Sequence, residues 1–112
     1  MGFARSVKSP QRLMRIMSAK VDGTGTAALS GTCANDMALT DNGTGDYTLT
    51  FDVAYERAPE VVVTPLTADA VPRIAAVAVD SVQILMEKAS DGTAIDADFH
   101  VMILGSDAID AI

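Results

Sequence analysis

Seven residues of this chain, "YTLTFDV" at positions 47 to 53, alternate without a fault. Tyr47, Leu49, Phe51 and Val53 fall on one side, and Thr48, Thr50 and Asp52 on the other. A period of two marks an extended strand with one face buried and the other in water. The stretch sits inside "NGTGDYTLTFDVAYERAPEVVVTPL", residues 42 to 66: a turn, the alternating strand, a short link with a proline and a valine-rich strand. Turn and strand signals this closely spaced leave no room for a helix.

The flanking chain has the same character. "RLMRIMSAKV" (12 to 21) reads as a strand, although Leu13, Ile16 and Met17 also have helical spacing. "DGTGT" is a turn, "AALSGTCA" (27 to 34) a short strand and "NDMALTDNGTGD" a loop. "EVVVTPL" is a strand that ends near Pro65, which points to a sheet edge or a bend. "RIAAVAV" and "VQILMEK" are separated by Asp80 and Ser81, the spacing of a tight hairpin. "ADFHVMIL" (97 to 104) is the last strand, stopped by Gly105. Strands and turns in this rhythm predict an all-β chain, a small antiparallel β-sandwich of jelly-roll-like type with about six to eight strands. Tyr47, Leu49, Phe51 and Val53 should face Phe99, Val101 and Ile103 across its core. Residues 12 to 112 form one domain, and residues 1 to 11, where Pro10 disfavours helix, form an extended arm.

Charge divides the chain unevenly. Residues 1 to 20 hold Arg5, Lys8, Arg12, Arg15 and Lys20 and no acid, whereas residues 21 to 112 hold three cations against all 15 acids. A basic arm thus precedes an acidic body. Such a body repels nucleic acid, so a nucleic-acid partner is not expected. No apolar run approaches the roughly 18 residues of a membrane span. The arm instead suits an acidic protein surface, with Arg5, Lys8, Arg12, Arg15 and Lys20 supplying charge and Leu13, Met14, Ile16 and Met17 apolar contact.

Candidate chemistry is sparse. The one His, His100, lies on the last strand with Asp98 on the same face, and no motif places a nucleophile beside it. With one His and one Cys, Cys33, no metal site is expected. "DNGTGD" lacks the further oxygens and closing Glu of a calcium loop, and "GTG" is followed by neither a third glycine nor GK[ST]. Neither an enzyme nor a cofactor is expected from these residues.

The segments "GTGDYTLTFDVAYERAPEVVVTPL", "VPRIAAVAVDSVQILMEK" and "DADFHVMILGSD" together resemble a small β-sandwich of tailed-bacteriophage virion proteins: capsid decoration (cement) proteins, head fibres and tail-fibre modules. The resemblance spans about residues 43 to 107. It implies a non-enzymatic capsid decoration protein, assembled in the host cytoplasm into the virion, bound to the major capsid protein or another virion protein, and trimeric. H-type lectin modules share a similar layout, so the alternative is a carbohydrate-binding fibre module with a groove exposing Tyr47 or Tyr55. One pattern bears on assembly independently. "FHVMIL" and "VQILMEK" are apolar on both sides, which places Leu85, Met102 and Leu104 at a subunit contact.

Overall fold

The computed structural model describes residues 13 to 107, and every structural statement below concerns them. They form eight strands: β1 (Leu13–Asp22), β2 (Ala28–Ser30), β3 (Met37–Gly43), β4 (Asp46–Phe51), β5 (Glu60–Pro65), β6 (Ala70–Ala78), β7 (Ser81–Lys88) and β8 (Phe99–Asp107), with a single 3-10 turn at Ala34–Asp36. Two four-stranded antiparallel sheets result. The first has the order β2-β1-β8-β5 and the second β3-β4-β7-β6. The fold is therefore the expected antiparallel β-sandwich.

Alternation along each strand sends one set of side chains between the sheets. The first sheet contributes Met17, Ala19, Val21, Phe99, Val101 and Ile103. The second contributes Met37, Tyr47, Leu49, Phe51, Val82, Ile84 and Met86. Phe51 and Tyr47 point inward as expected, and Tyr47 meets Phe99 across the core with ring centroids 5.5 Å apart. No polar or charged residue is buried among the described residues.

Two tyrosines close the two ends of this core. The Tyr47 hydroxyl lies 3.2 Å from Asp96 Oδ1 and 3.3 Å from the Gly23 carbonyl, and it accepts the Ala97 N–H at 3.3 Å. It thereby ties the turn after β1 to the segment leading into β8. Gly23 is required here, because a Cβ would collide with the Tyr47 ring and the Ala97 carbonyl. At the other end the Tyr55 ring lies against Gly105, where a Cβ would come within 2.5 Å of it. The Tyr55 hydroxyl donates to the carbonyls of Arg15 (3.2 Å) and Ile103 (3.4 Å), and its ring meets Phe51 edge-on at 5.7 Å.

Four sequence expectations change. "NDMALTDNG" is not loop: Met37–Gly43 is edge strand β3, carried inward by Met37 and Leu39, with a bulge between Asp41 and Gly43. Gly105 does not stop β8, which runs on to Asp107; its missing side chain makes room for Tyr55. Val53 is not in the core but 61% exposed, because the β4 ladder ends at Phe51 and the chain bends at Asp52. The hairpin between β6 and β7 turns on Val79–Asp80, one residue earlier than expected, since Ala78 pairs with Ser81.

Truncating Phe51 to Ala should cost about 3–5 kcal/mol, read from denaturant unfolding, as the loss of a buried ring. Tyr47 predicts a pH effect. Burial is the main cause that pushes its hydroxyl from 10.0 up to about 12, with the Asp96 carboxylate adding to it. A folded-state pKa above the unfolded one favours the protonated hydroxyl, so this contribution is full below pH 10.0 and is lost as the pH rises through about 12. Burial raises Tyr55 in the same direction. Stability should accordingly fall above pH 10.0. Tyr47→Phe should reduce that slope while costing about 1–3 kcal/mol at neutral pH, through the polar groups it leaves unpaired.

Candidate functional site

The two outer faces of the sandwich are chemically unlike. On the second sheet the outward rows read Thr40–Thr48–Gln83 and Ala38–Thr50–Ser81, followed by Asp46–Leu85–Arg73. Asn42 donates to Thr48 Oγ1 at 2.8 Å and Gln83 to Asp46 Oδ1 at 2.9 Å, so this face is a hydrogen-bonded polar surface. Leu85, half-buried, and Val71, 47% exposed opposite Glu87, are the larger aliphatics within it.

On the first sheet the outward rows read Ile16–Leu104–Glu60, Ser18–Met102–Val62 and Lys20–His100–Thr64, with Met14 beside Ser106 at the end. Met14 is 61% exposed, Ile16 58%, Val62 51% and Met102 43%. Together with Leu104 they make a contiguous apolar patch across β1, β8 and β5. Beside it lies an open hollow of about 340 Å³ lined by Ser18, Lys20, Thr64, His100 and Met102, with Gly31 and Thr32 rising along one side. A contiguous exposed apolar patch on an otherwise polar surface is the usual mark of an interaction site.

The expected contact residues separate on this framework. Arg5, Lys8 and Arg12, with the whole arm of residues 1 to 11, lie outside the described residues. Leu13 is exposed at the start of β1. Met17 is buried in the core and cannot touch a partner, because its odd position turns it inward beside Ala19 and Val21. Arg15 is already engaged: its guanidinium stacks 4.0 Å over the Tyr55 ring, donates to the Val53 carbonyl at 2.7 Å and pairs with Asp107 at 3.4 Å. It closes the Tyr55 end of the core. Lys20 stays on the outer face, half-exposed, 3.3 Å from Asp22. Met102 and Leu104 belong to the apolar patch, but Leu85 does not. β7 and β8 lie in different sheets, so their outward residues point to opposite sides of the molecule and cannot share one contact.

Ile16, Val62 and Met14 complete the patch, and their signal was in the sequence. Three consecutive valines at 61 to 63 and the run "LMRIM" leave apolar residues on both faces of their strands. The fault that marked "FHVMIL" is thus present in three of the four strands of one face.

Other candidate groups have structural roles. Asp98 turns away from the exposed His100 and accepts from the Gly23 N–H (3.0 Å), the Thr24 N–H (3.3 Å) and the Thr24 hydroxyl (3.1 Å). Burial pulls its carboxyl upward, but the hydrogen bonds from Thr24 and Gly23 together hold it below the ordinary Asp value. Cys33 is a half-buried free thiol packed against the core. No group of three His, Cys, Asp or Glu among the described residues could hold a metal ion. All four aromatic rings among them, Tyr47, Phe51, Tyr55 and Phe99, are buried, so the sugar groove expected to expose Tyr47 or Tyr55 is absent there. Comparison of the chain with protein-family models, curated proteins and solved structures finds no match.

Neighbouring residues of β1 should respond oppositely to truncation. In dilute solution Ile16→Thr should leave the unfolding free energy within about 0.5 kcal/mol, as an exposed substitution. Met17→Ala should cost about 2–5 kcal/mol. Chemical denaturation of the two variants side by side checks the register of β1.

Proposed function

We propose that the protein is a non-enzymatic structural component of a tailed-bacteriophage virion, a decoration protein that binds the outer surface of the head and stabilises it. The observation that supports this reading best is the position of the apolar face relative to the basic segment. Residues 1 to 12 carry three cations and no acid, and they join the sheet at Leu13, at the margin of the patch formed by Met14, Ile16 and Leu104. A rigid sandwich with one sticky face and a cationic tether beside it has the parts of a protein that docks on a larger acidic assembly. The assignment of that assembly to a capsid comes from the resemblance to phage β-sandwiches. On this reading the partner is the major capsid protein or a neighbouring virion protein, the decoration protein is a homo-oligomer, and it joins the particle in the host cytoplasm.

Deleting residues 2 to 12 should leave β1 to β8 folded, with a circular dichroism spectrum and melting transition like those of the full chain, while occupancy on purified heads falls. Binding of the full chain should weaken as salt rises from about 0.1 M, where the Debye length is roughly 10 Å. Electron micrographs of particles reconstituted with each form give the readout. Equal occupancy of both forms would sink the tether, and binding to glycans but not to heads would favour the fibre-module alternative.

A further inference from the structure

Methionine occupies both the core and the outer face of this sandwich. Five methionines lie among the described residues, and the period of two sorts them. Met17, Met37 and Met86 are 5%, 6% and 0% exposed in the core, whereas Met14 and Met102 are 61% and 43% exposed on the apolar face. Met102 stands near the centre of that face, between Ser18 on β1 and Val62 on β5, and it lines the open hollow. Met14 stands at the end of the face, opposite Ser106. The other apolar members, Ile16, Val62 and Leu104, carry no oxidisable atom. A thioether differs from them in one respect: a peroxide converts it to a sulfoxide, which is polar.

We propose that Met14 and Met102 are modification sites that make this face a redox switch: hydrogen peroxide turns their thioethers into sulfoxides, and the face loses its capacity for apolar docking. In each step the sulfur lone pair takes one oxygen from the peroxide, the O–O bond breaks and water leaves. The sulfur is oxidised by two electrons and the peroxide is reduced. The inference rests on the docking role proposed above for this face. Position sets the effect. In the free chain the new oxygen at Met102 faces solvent, with the Ser18 hydroxyl as its cross-strand neighbour and Lys20 and His100 in the next row as further donors. Neither the core nor the sheet ladder changes, so the fold tolerates the modification. Against a covering partner the same oxygen is desolvated in the middle of an apolar contact, where an unpaired polar group costs most. The two sheets shield Met17, Met37 and Met86, so oxidation is confined to the docking face while the body stays folded.

Treatment of the isolated full chain with dilute hydrogen peroxide, followed by peptide mapping in the mass spectrometer, tests it. Met14 and Met102 should each gain an oxygen while Met17, Met37 and Met86 gain none, with an unchanged circular dichroism spectrum. Retention on a hydrophobic-interaction column should fall, and methionine sulfoxide reductases for the two sulfoxide epimers should restore it. The variant Met14→Leu/Met102→Leu should keep its retention through the same treatment. Cys33→Ser should lose retention as the wild type does, which separates the thioethers from the free thiol. On purified heads the oxidised chain should bind about tenfold more weakly than the untreated one, the effect of desolvating a polar group without a partner. Oxidation spread equally over the core methionines, unchanged retention, or an equal loss of retention in the leucine variant would overturn the proposal. So would equal binding of oxidised and untreated chains to heads. An untreated chain that ignores heads would overturn the virion reading instead, and the column then decides the switch.

Discussion

The ladder between β1 and β8 decides what the rest of the molecule can be. Nine residue pairs, from Leu13 with Asp107 to Val21 with Phe99, join the first strand to the last. This places β8 at the centre of its sheet, with β5 on its other side. Two consequences follow from one register. Odd positions of β1 enter the core, which commits Met17 to packing and Arg15 to the Tyr55 end. Even positions join the even positions of β8, which builds the outer face from Ile16 with Leu104 and Ser18 with Met102. A slip of one residue would reverse both sets, burying Lys20 and exposing Val21. The fold and the candidate site therefore depend on the same backbone hydrogen bonds.

Tyrosine placement supports that ladder at both ends. A core with only four rings among the described residues relies on aliphatic side chains for area, and those have no directional preference. The hydroxyls of Tyr47 and Tyr55 supply direction. Each reaches backbone across one end of the core: Gly23 and Ala97 at one end, Arg15 and Ile103 at the other. Both sites need a glycine beside the ring, at Gly23 and Gly105. The substitution that makes room for a tyrosine and the tyrosine that ties the end belong to one device, used twice.

The sequence showed most of the architecture because a period of two is visible wherever one face is dry. For that reason β4, β7 and β8 are legible close to their true positions, and β1 is legible despite its helical spacing. Elsewhere the signals conflicted. β3 is an edge strand with only Met37 and Leu39 facing inward, and its Asp41, Asn42 and Gly43 have turn chemistry that outweighs two apolar residues. Gly105 reads as a strand end because glycine usually interrupts strands; the ring that occupies its vacant side lies 50 residues earlier, at Tyr55, and no local pattern reports it. Leu85 and Met102 both broke the alternation of their strands. Which sheet each strand joins is a matter of topology, and only topology shows that the two residues point to opposite sides.

That separation gives the surface its logic. The outer face of the second sheet satisfies itself through Asn42, Thr48, Gln83 and Asp46, and Leu85 and Val71, set beside Arg73 and Glu87, are ordinary surface residues. The sheet edges are also poor templates for another strand. β2 has three residues, β5 ends on Pro65, β3 bulges at Asp41, and β6 carries Pro72, Arg73 and a second bulge after Ile74. Proline, charge and bulges are the usual means of keeping an edge from pairing. With both kinds of edge blunted and one broad face polar, the face built by β1, β8 and β5 is where this body can associate through apolar contact. Its even-numbered residues are also free of the core, so an exposed Met14, Ile16 or Met102 does nothing for the fold that a polar residue could not do. Their cost in solubility is compensated only when something covers them.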